Sequence, residues 1–377
     1  MIYFDNAATT GVKPKSVVSA VNFAMQNLSA NPGRSGHILS QKAEMAIYKC
    51  RTAIKEFFNA NSENNVCFTL NCTQAINTVL YGVIGPKDHI IISSLEHNAV
   101  LRSVHKMHIE TNAQYSIAEV DLLDDELTVE NFRRNIRANT KLMIVTSASN
   151  VIGKKLPLQK LGKLCKENGI LFAVDAAQGA GIIPIDMKEM NIDYLCIAGH
   201  KGLYGPMGTG VLIAHKDLNK VLVVGGTGVN SADFVQPIDL PERVESGTMN
   251  LPGIVGLGAG VSFVNNVGIR NIAHHDFEVC KIIYQGLKSI GAETYLPYFD
   301  IDECVPVISF NVKGFSSEET AAYLSKNNIA VRGGLHCSPL AHNQIKTSGR
   351  GTVRVSAAYF NTHTEAERFN FALKRLI

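Results

Sequence analysis

The sequence lacks the features that mark several large protein classes. No uninterrupted apolar stretch approaches the ~18 residues of a membrane span, so no membrane association is expected. Met1-Ile2-Tyr3-Phe4-Asp5 lacks the basic and apolar regions of a secretory leader. The eight cysteines are scattered without CxxC spacing, which argues against a zinc site or a disulfide framework and for the reducing cytoplasm. A formal charge of +3, from 36 basic and 33 acidic side chains, is too small to predict a nucleic-acid partner or an anionic membrane surface. The histidine pairs His105/His108 and His274/His275 read as surface residues of helices, so no metal site is expected. There is no internal repeat, low-complexity segment or long linker.

What is present is a chain of 377 residues, 46% hydrophobic and 18% charged, as in a soluble globular protein. That length suits two domains, or one large α/β domain with an appendage. Short apolar runs at 66–70, 89–93, 141–146, 170–174, 194–198 and 210–214 predict strands. Amphipathic segments between them, such as 158–168 with Leu161, Leu164 and Cys165, predict helices. Strands without alternation, separated by helices, imply a mostly parallel sheet covered on both faces. One helical stretch is predicted from Gly256 through Ile272 and Ile282 to Leu287. Beyond it, strands at 305–312 and 352–356, a helix at 317–327 and a final helix suggest a smaller α+β unit. The boundary falls between Pro252 and Gly260; we place the large domain at 13–257 and the small one at 258–377, with an arm at 1–12 packed on it.

In open parallel sheets, ligands bind beyond the carboxyl ends of the strands. Five predicted strands are followed there by polar groups: Cys72-Thr73-Gln74 opening a helix, His97, Asn150, Asp175 with Gln178 three residues on, and Lys201. Singly, each has a plain structural explanation as a cap, turn or loop residue. Lys201 is the most distinctive, because Ala198-Gly199-His200-Lys201-Gly202-Leu203-Tyr204-Gly205-Pro206 sets a lysine at the end of an apolar run inside a glycine-rich turn. A lysine that forms a Schiff base needs such a setting, held in one geometry and partly desolvated so that its amine can be neutral.

Pyridine-ring chemistry needs this set of groups. A carboxylate beside the ring nitrogen keeps it protonated, and Asp175 is the candidate. His97 could lie on the ring face and move protons. The helix opening at Cys72 and Thr73 could bind a phosphate. Gln178 and His200 are further donors, and Asn150 could bond a ring hydroxyl. In the C-terminal unit, Arg332-Gly333-Gly334-Leu335-His336-Cys337-Ser338-Pro339 holds a loop cysteine beside basic groups that favour its thiolate. Cys50, Cys67, Cys165, Cys196 and Cys280 read as buried structural thiols. Arg354, inside a short β-type run, is either a fork for a substrate carboxylate or half of a structural ion pair.

These residues resemble the class V, fold type I, pyridoxal-phosphate enzymes, and within them the cysteine desulfurase and selenocysteine lyase branch. The matches span nearly the whole chain, from Tyr3-Phe4-Asp5-Asn6-Ala7-Ala8-Thr9-Thr10 to Arg354-Val355-Ser356-Ala357-Ala358-Tyr359-Phe360-Asn361-Thr362. Between them lie Glu96-His97-Asn98-Ala99, Asp175-Ala176-Ala177-Gln178, Gly199-His200-Lys201, Glu245-Ser246-Gly247-Thr248 and the Cys337 loop. The resemblance implies an α/β fold with a mostly parallel sheet of seven-stranded type and a smaller C-terminal α+β domain.

It also implies roles. Lys201 would carry pyridoxal 5'-phosphate, Asp175 would pair with its ring nitrogen, and His97 would stack on it. Asn150 and Gln178 would contact the ring oxygen, while Thr73 and His200 would hold the phosphate. Thr248 would reach the phosphate of a neighbouring subunit, implying a homodimer. Cys337 would take sulfur from L-cysteine and carry it as a persulfide, Arg354 would clamp the substrate carboxylate, and Arg332 would assist. The compact Cys337 loop is similar to the group II (SUF-type) form, which passes sulfur to a small acceptor protein, as in iron–sulfur cluster assembly.

The chain departs from that pattern at several points. Ala198 stands where many relatives have Ser or Thr, Asn71-Cys72-Thr73-Gln74 replaces Gly-Thr-Thr-Glu, Gly202 is an added residue, and Gly33 occupies the place of an active-site histidine. These bear on the substrate, so selenocysteine lyase activity, class V aminotransferase or epimerase activity, and a non-catalytic sulfur-carrier or regulatory protein are the alternatives to cysteine desulfuration.

Overall fold

The structure is a computed structural model, and it describes residues 1–33 and 35–377. Seven strands form the main sheet: β2 (Val66–Thr69), β3 (His89–Ser93), β4 (Gln114–Ala118), β5 (Thr140–Thr146), β6 (Leu171–Asp175), β7 (Tyr194–Ala198) and β8 (Gly210–Ala214). Their spatial order is β2-β8-β7-β6-β5-β3-β4. Apolar side chains from alternate positions enter two different cores. Ile91, Met143, Val145, Phe172 and Val174 pack on one face; Ile90, Ile92, Leu142, Ile144 and Ala173 pack on the other. Helices cover both faces, which is why these strands read as continuous apolar runs.

The predicted parallel core is present from β4 to β7, but β8 runs antiparallel to both β7 and β2. The carboxyl ends of β2 and β7 therefore still share one edge with those of β3, β5 and β6. β4 went unpredicted because it is an edge strand whose side chains are largely uncovered and whose residues Gln114 and Ser116 interrupt the apolar pattern.

A second, four-stranded antiparallel sheet comes from the C-terminal part: β9 (Glu293–Thr294), β10 (Val307–Asn311), β12 (Arg332–Gly334) and β13 (Thr352–Ser356), in the order β12-β13-β10-β9. Helices Ile269–Ser289 and His363–Lys374 pack on it through Val279, Ile283, Phe369 and Leu373. The chain's start joins this unit. β1 (Ile2–Tyr3) pairs in parallel with β11 (Ile329–Ala330), and Asp5 bridges to Ser356.

The single helix predicted across 256–287 is instead two, Leu251–Val267 and Ile269–Ser289, bent by 83°. Gly268 adopts φ +90° at the break, a conformation that residues with a side chain rarely take. The first of these helices runs through residue 257, where the sequence placed the domain boundary. No single helix among the described residues is long and apolar enough to cross a membrane.

Candidate active site

The strand ends enclose a chamber of about 240 Å3. Cys72, Thr73, His97, Asn150, Asp175, Gln178, His200, Lys201, Arg332 and Arg354 all line it. Ten of the candidates read from the sequence are thus brought together; Cys337 and Thr248 are not among the lining residues.

Lys201 follows β7 in a turn closed by Tyr204 N donating to Lys201 O at 2.8 Å and Gly205 N donating to Gly199 O at 2.8 Å. Gly202 has no room for a side chain: a Cβ there would lie 2.4 Å from the Ala180 carbonyl oxygen. The extra residue thus lets the turn lie directly against neighbouring backbone. The N-terminal arm holds the peptide preceding the lysine. The His200 carbonyl accepts from Thr10 N at 3.2 Å, Thr10 Oγ1 at 3.0 Å and Lys13 Nζ at 2.8 Å. Burial lowers the Lys201 pKa, against the opposing pull of Asp175, so its amine loses its proton more readily than an exposed lysine does.

Asp175 ends β6. Its Oδ1 accepts from Ala177 N at 2.9 Å and lies 3.3 Å from Cys72 Sγ. Cys72 opens the helix Cys72–Val83, capped by Asn71, whose Oδ1 accepts from Gln74 N at 2.9 Å. First-turn amides of a helix have no intrahelical acceptor, and the helix dipole favours an anion there. His97 caps the helix Asn98–Thr111, its Nδ1 accepting from Ala99 N at 3.0 Å. That assigns the remaining proton to Nε2. Burial lowers its pKa, so a neutral flat ring faces the chamber. His200 is likewise held neutral, at about 4, mainly by burial; its Nδ1 meets Thr9 Oγ1 at 3.0 Å.

Asn150 and Gln178 are already engaged by protein. Asn150 Nδ2 donates to His336 O at 2.8 Å, and its Oδ1 accepts from Ser338 Oγ at 2.6 Å. The Asn150 side chain therefore ties both flanks of Cys337 to the chamber wall. Gln178 Nε2 donates to Ala7 O at 3.0 Å. Arg354 forms the structural ion pair that its sequence setting allowed, and it also lines the chamber. Its Nη2 pairs with Asp5 Oδ1 at 2.8 Å and its Nη1 donates to Asn150 O at 3.0 Å. Among the described residues, no partner meets its buried Nε.

Cys337 is exposed, whereas the other seven cysteines are buried. It sits in a turn closed by Ser338 N donating to Leu335 O at 3.1 Å, with φ +49° at His336 and +58° at Cys337. Two consecutive left-handed residues that are not glycine strain such a turn. Cys337 opens onto an outer groove of about 760 Å3 shared with Asn98, Arg102 and His105. Arg332 and His336 line both spaces, and Arg332 Nη2 lies 3.6 Å from Cys337 Sγ. Thr248 is exposed in an irregular segment and Gly33 lines a separate groove with Tyr48 and Arg51.

Sequence reasoning missed three supporting residues. Asp5 was quoted within the arm motif without a role. Ser338 follows the cysteine and reads as a helix cap. Glu96 is fully buried beside His97, accepting from Ser93 Oγ and from Thr146 N at 2.8 Å. A buried acid within an apolar strand end is the one signal that could have singled it out.

The donor set fits pyridoxal phosphate: a desolvated amine, a carboxylate with one uncommitted oxygen, a neutral ring and a helix opening, all around one chamber. Comparisons agree. The aminotransferase class-V profile matches residues 2–369. A probable cysteine desulfurase of Pyrococcus abyssi is 31% identical over 100% of this chain and 94% of its own length. One of Borreliella burgdorferi is 31% identical over 100% and 92%. The solved apo structure of a cysteine desulfurase from Thermococcus onnurineus superposes with a TM-score of 0.92 at 31% identity, covering 100% of this chain and 94% of that one. This chain belongs to the aminotransferase class-V family.

Proposed function

We propose that this protein is a pyridoxal-phosphate-dependent cysteine desulfurase that places the sulfur of L-cysteine on Cys337. The observation that carries this reading is the position of Cys337. It is the one exposed thiol of eight, presented on a strained turn beside the chamber that Lys201, Asp175 and His97 line.

Lys201 would hold the cofactor covalently, Asp175 its ring nitrogen, His97 its face, and the helix opening at Cys72 and Thr73, with His200, its phosphate. When bound, the cofactor supplies an electron sink for charge at the substrate α-carbon. The chain's own groups do the rest. Arg354, which lines the chamber, takes the substrate carboxylate and orients the amino acid. The Lys201 amine, which burial keeps easily deprotonated, would accept and return the α-proton. Cys337, as thiolate, takes the sulfur; the substrate Cβ–S bond breaks, an S–S bond forms, and Cβ gains a hydrogen. The net change converts L-cysteine and the Cys337 thiol to L-alanine and a Cys337 persulfide. An acceptor protein reaching through the outer groove would then remove the outer sulfur.

A second copy of the chain would complete the phosphate site through Thr248. The exposed Val224, Phe234, Val235 and Ile238 lie in the segment leading to Thr248 and support its being covered. A cytoplasmic location and the domain division at 257/258 are part of the same reading. The direct test is product analysis: purified protein given cysteine and a reductant releases sulfide and alanine in equal amounts, and C337A releases neither. Full activity of C337A with cysteine would overturn the persulfide role; retained activity with selenocysteine alone would assign the chain to selenocysteine lyase.

A further inference from the structure

The chamber itself holds one lining thiol, Cys72, whose placement is as specific as that of Cys337 outside it and whose chemistry is opposite. Cys72 is 6% exposed and lies at the first position of its helix. Its Sγ is 3.3 Å from Asp175 Oδ1, an oxygen that also accepts from Ala177 N at 2.9 Å. Among the described residues no donor meets Asp175 Oδ2. Burial pushes the Cys72 thiol well above its usual range, and the Asp175 charge adds to this, so the sulfur keeps its proton and is the donor of the pair. Cys196 lies opposite Asp175 on β7 and is also buried, but it makes no hydrogen bond to the carboxylate. Of the two neighbouring thiols, only Cys72 acts on its orientation.

We propose that Cys72 is a positioning residue for Asp175: with Ala177 N it anchors Oδ1, so that Oδ2 alone is presented to the chamber. A carboxylate turns about χ2 in a broad, roughly two-fold well. One backbone donor leaves that rotation available. Two donors converging on the same oxygen from the helix opening and from the following turn remove it. The proposal rests on reading Asp175 as the partner of the cofactor's ring nitrogen. It also explains how a thiol can sit inside a desulfurase chamber without competing for sulfur: its proton is committed to the carboxylate, whereas Cys337 faces solvent and Arg332.

The test compares C72A and C72S with the native chain. Serine restores a donor, with a shorter reach; alanine removes it. C72V, which keeps volume and lacks the donor, replaces C72A if the smaller side chain prevents folding. Apoprotein is titrated with pyridoxal phosphate, and the visible band of the loaded protein is followed against pH. Loss of the donor, a weak thiol, is expected to weaken cofactor binding about five- to tenfold, as for one ordinary hydrogen bond, and to move the midpoint of the band. C72S should restore both, with apoprotein melting temperatures unchanged across the set. Native affinity and midpoint in C72A or C72V would overturn the proposal, as would a C72S protein indistinguishable from C72A. If the native chain itself develops no visible band, the cofactor reading of Asp175 fails instead.

Discussion

Asp5 Oδ1 accepts a hydrogen bond at 2.8 Å from Nη2 of Arg354, a guanidinium only 1% exposed. The residue that would grip the substrate carboxylate is thus itself gripped by the N-terminal arm. R354K would keep the charge but not the fork that reaches Asp5, Asn150 and the chamber at once. We expect kcat/KM to fall about 100-fold, chiefly through KM, with the cofactor's visible band unchanged. D5A should raise KM too and cost about 2 kcal/mol of stability. That is less than the cost of breaking a fully buried pair, because Asp5 is 21% exposed. Steady-state kinetics and urea titration read the two effects separately.

The Cys337 turn makes a prediction that separates strain from chemistry. Alanine at 337 retains a Cβ at φ +58°, while glycine tolerates that conformation freely. C337G should therefore be about 1 kcal/mol more stable than C337A, although both lose sulfide release. Equal denaturation midpoints would mean that the turn stores no strain.

Glu96 gives the fold a pH dependence. Burial holds its carboxyl proton up to about 8, against 4.5 for an ordinary glutamate. Between these values the unfolded chain has released the proton and the folded chain has not, so stability falls as pH rises through this window and levels off above about 8. The total is on the order of 5 kcal/mol at about 1.36 kcal/mol per unit. E96Q, which imitates the protonated acid, should lack this decline. Urea midpoints at pH 5, 6.5 and 8 for both proteins check it; parallel curves would rule it out.

At Gly202 an added methyl meets the Ala180 carbonyl oxygen at 2.4 Å, and backbone cannot swing aside as a side chain can. G202A should lose about 2 kcal/mol of stability and retain less cofactor after dialysis. The chain has no tryptophan, so the near-ultraviolet background is low and the cofactor's absorbance is easily followed.

The edge that bears the chamber was legible because each of its groups lies within a few residues of the end of an apolar run: Asp175 after Val174, Lys201 three residues past Ala198, His97 shortly after Ser93. Local pattern carries that much. It does not carry pairing across the chain. Asp5 and Arg354 are separated by 349 positions, and nothing near either one names the other. Asn150 follows a predicted strand and lines the chamber, but its ties to His336 O and Ser338 Oγ depend on how the two units meet. The bend at Gly268 was hidden for a different reason. Apolar periodicity continues on both sides of it, and an isolated glycine within a helical pattern does not by itself announce a break. β4 escaped because an uncovered edge strand need not be apolar.

The N-terminal arm has a consequence in time as well as in space. Its partners are the β11 strand at 329–330, Ser356, Asn361 and the His200 carbonyl. On the ribosome the first ten residues emerge long before most of these exist. The large sheet, complete by Ala214, can assemble while the arm is still unpartnered, but the arm cannot finish docking on the C-terminal unit until residue 361 has cleared the exit tunnel. Arg354, made late, waits for Asp5, made first. The site is therefore closed by the last tenth of the chain meeting its beginning, and a nascent chain stalled before that point would carry the lysine without the clamp.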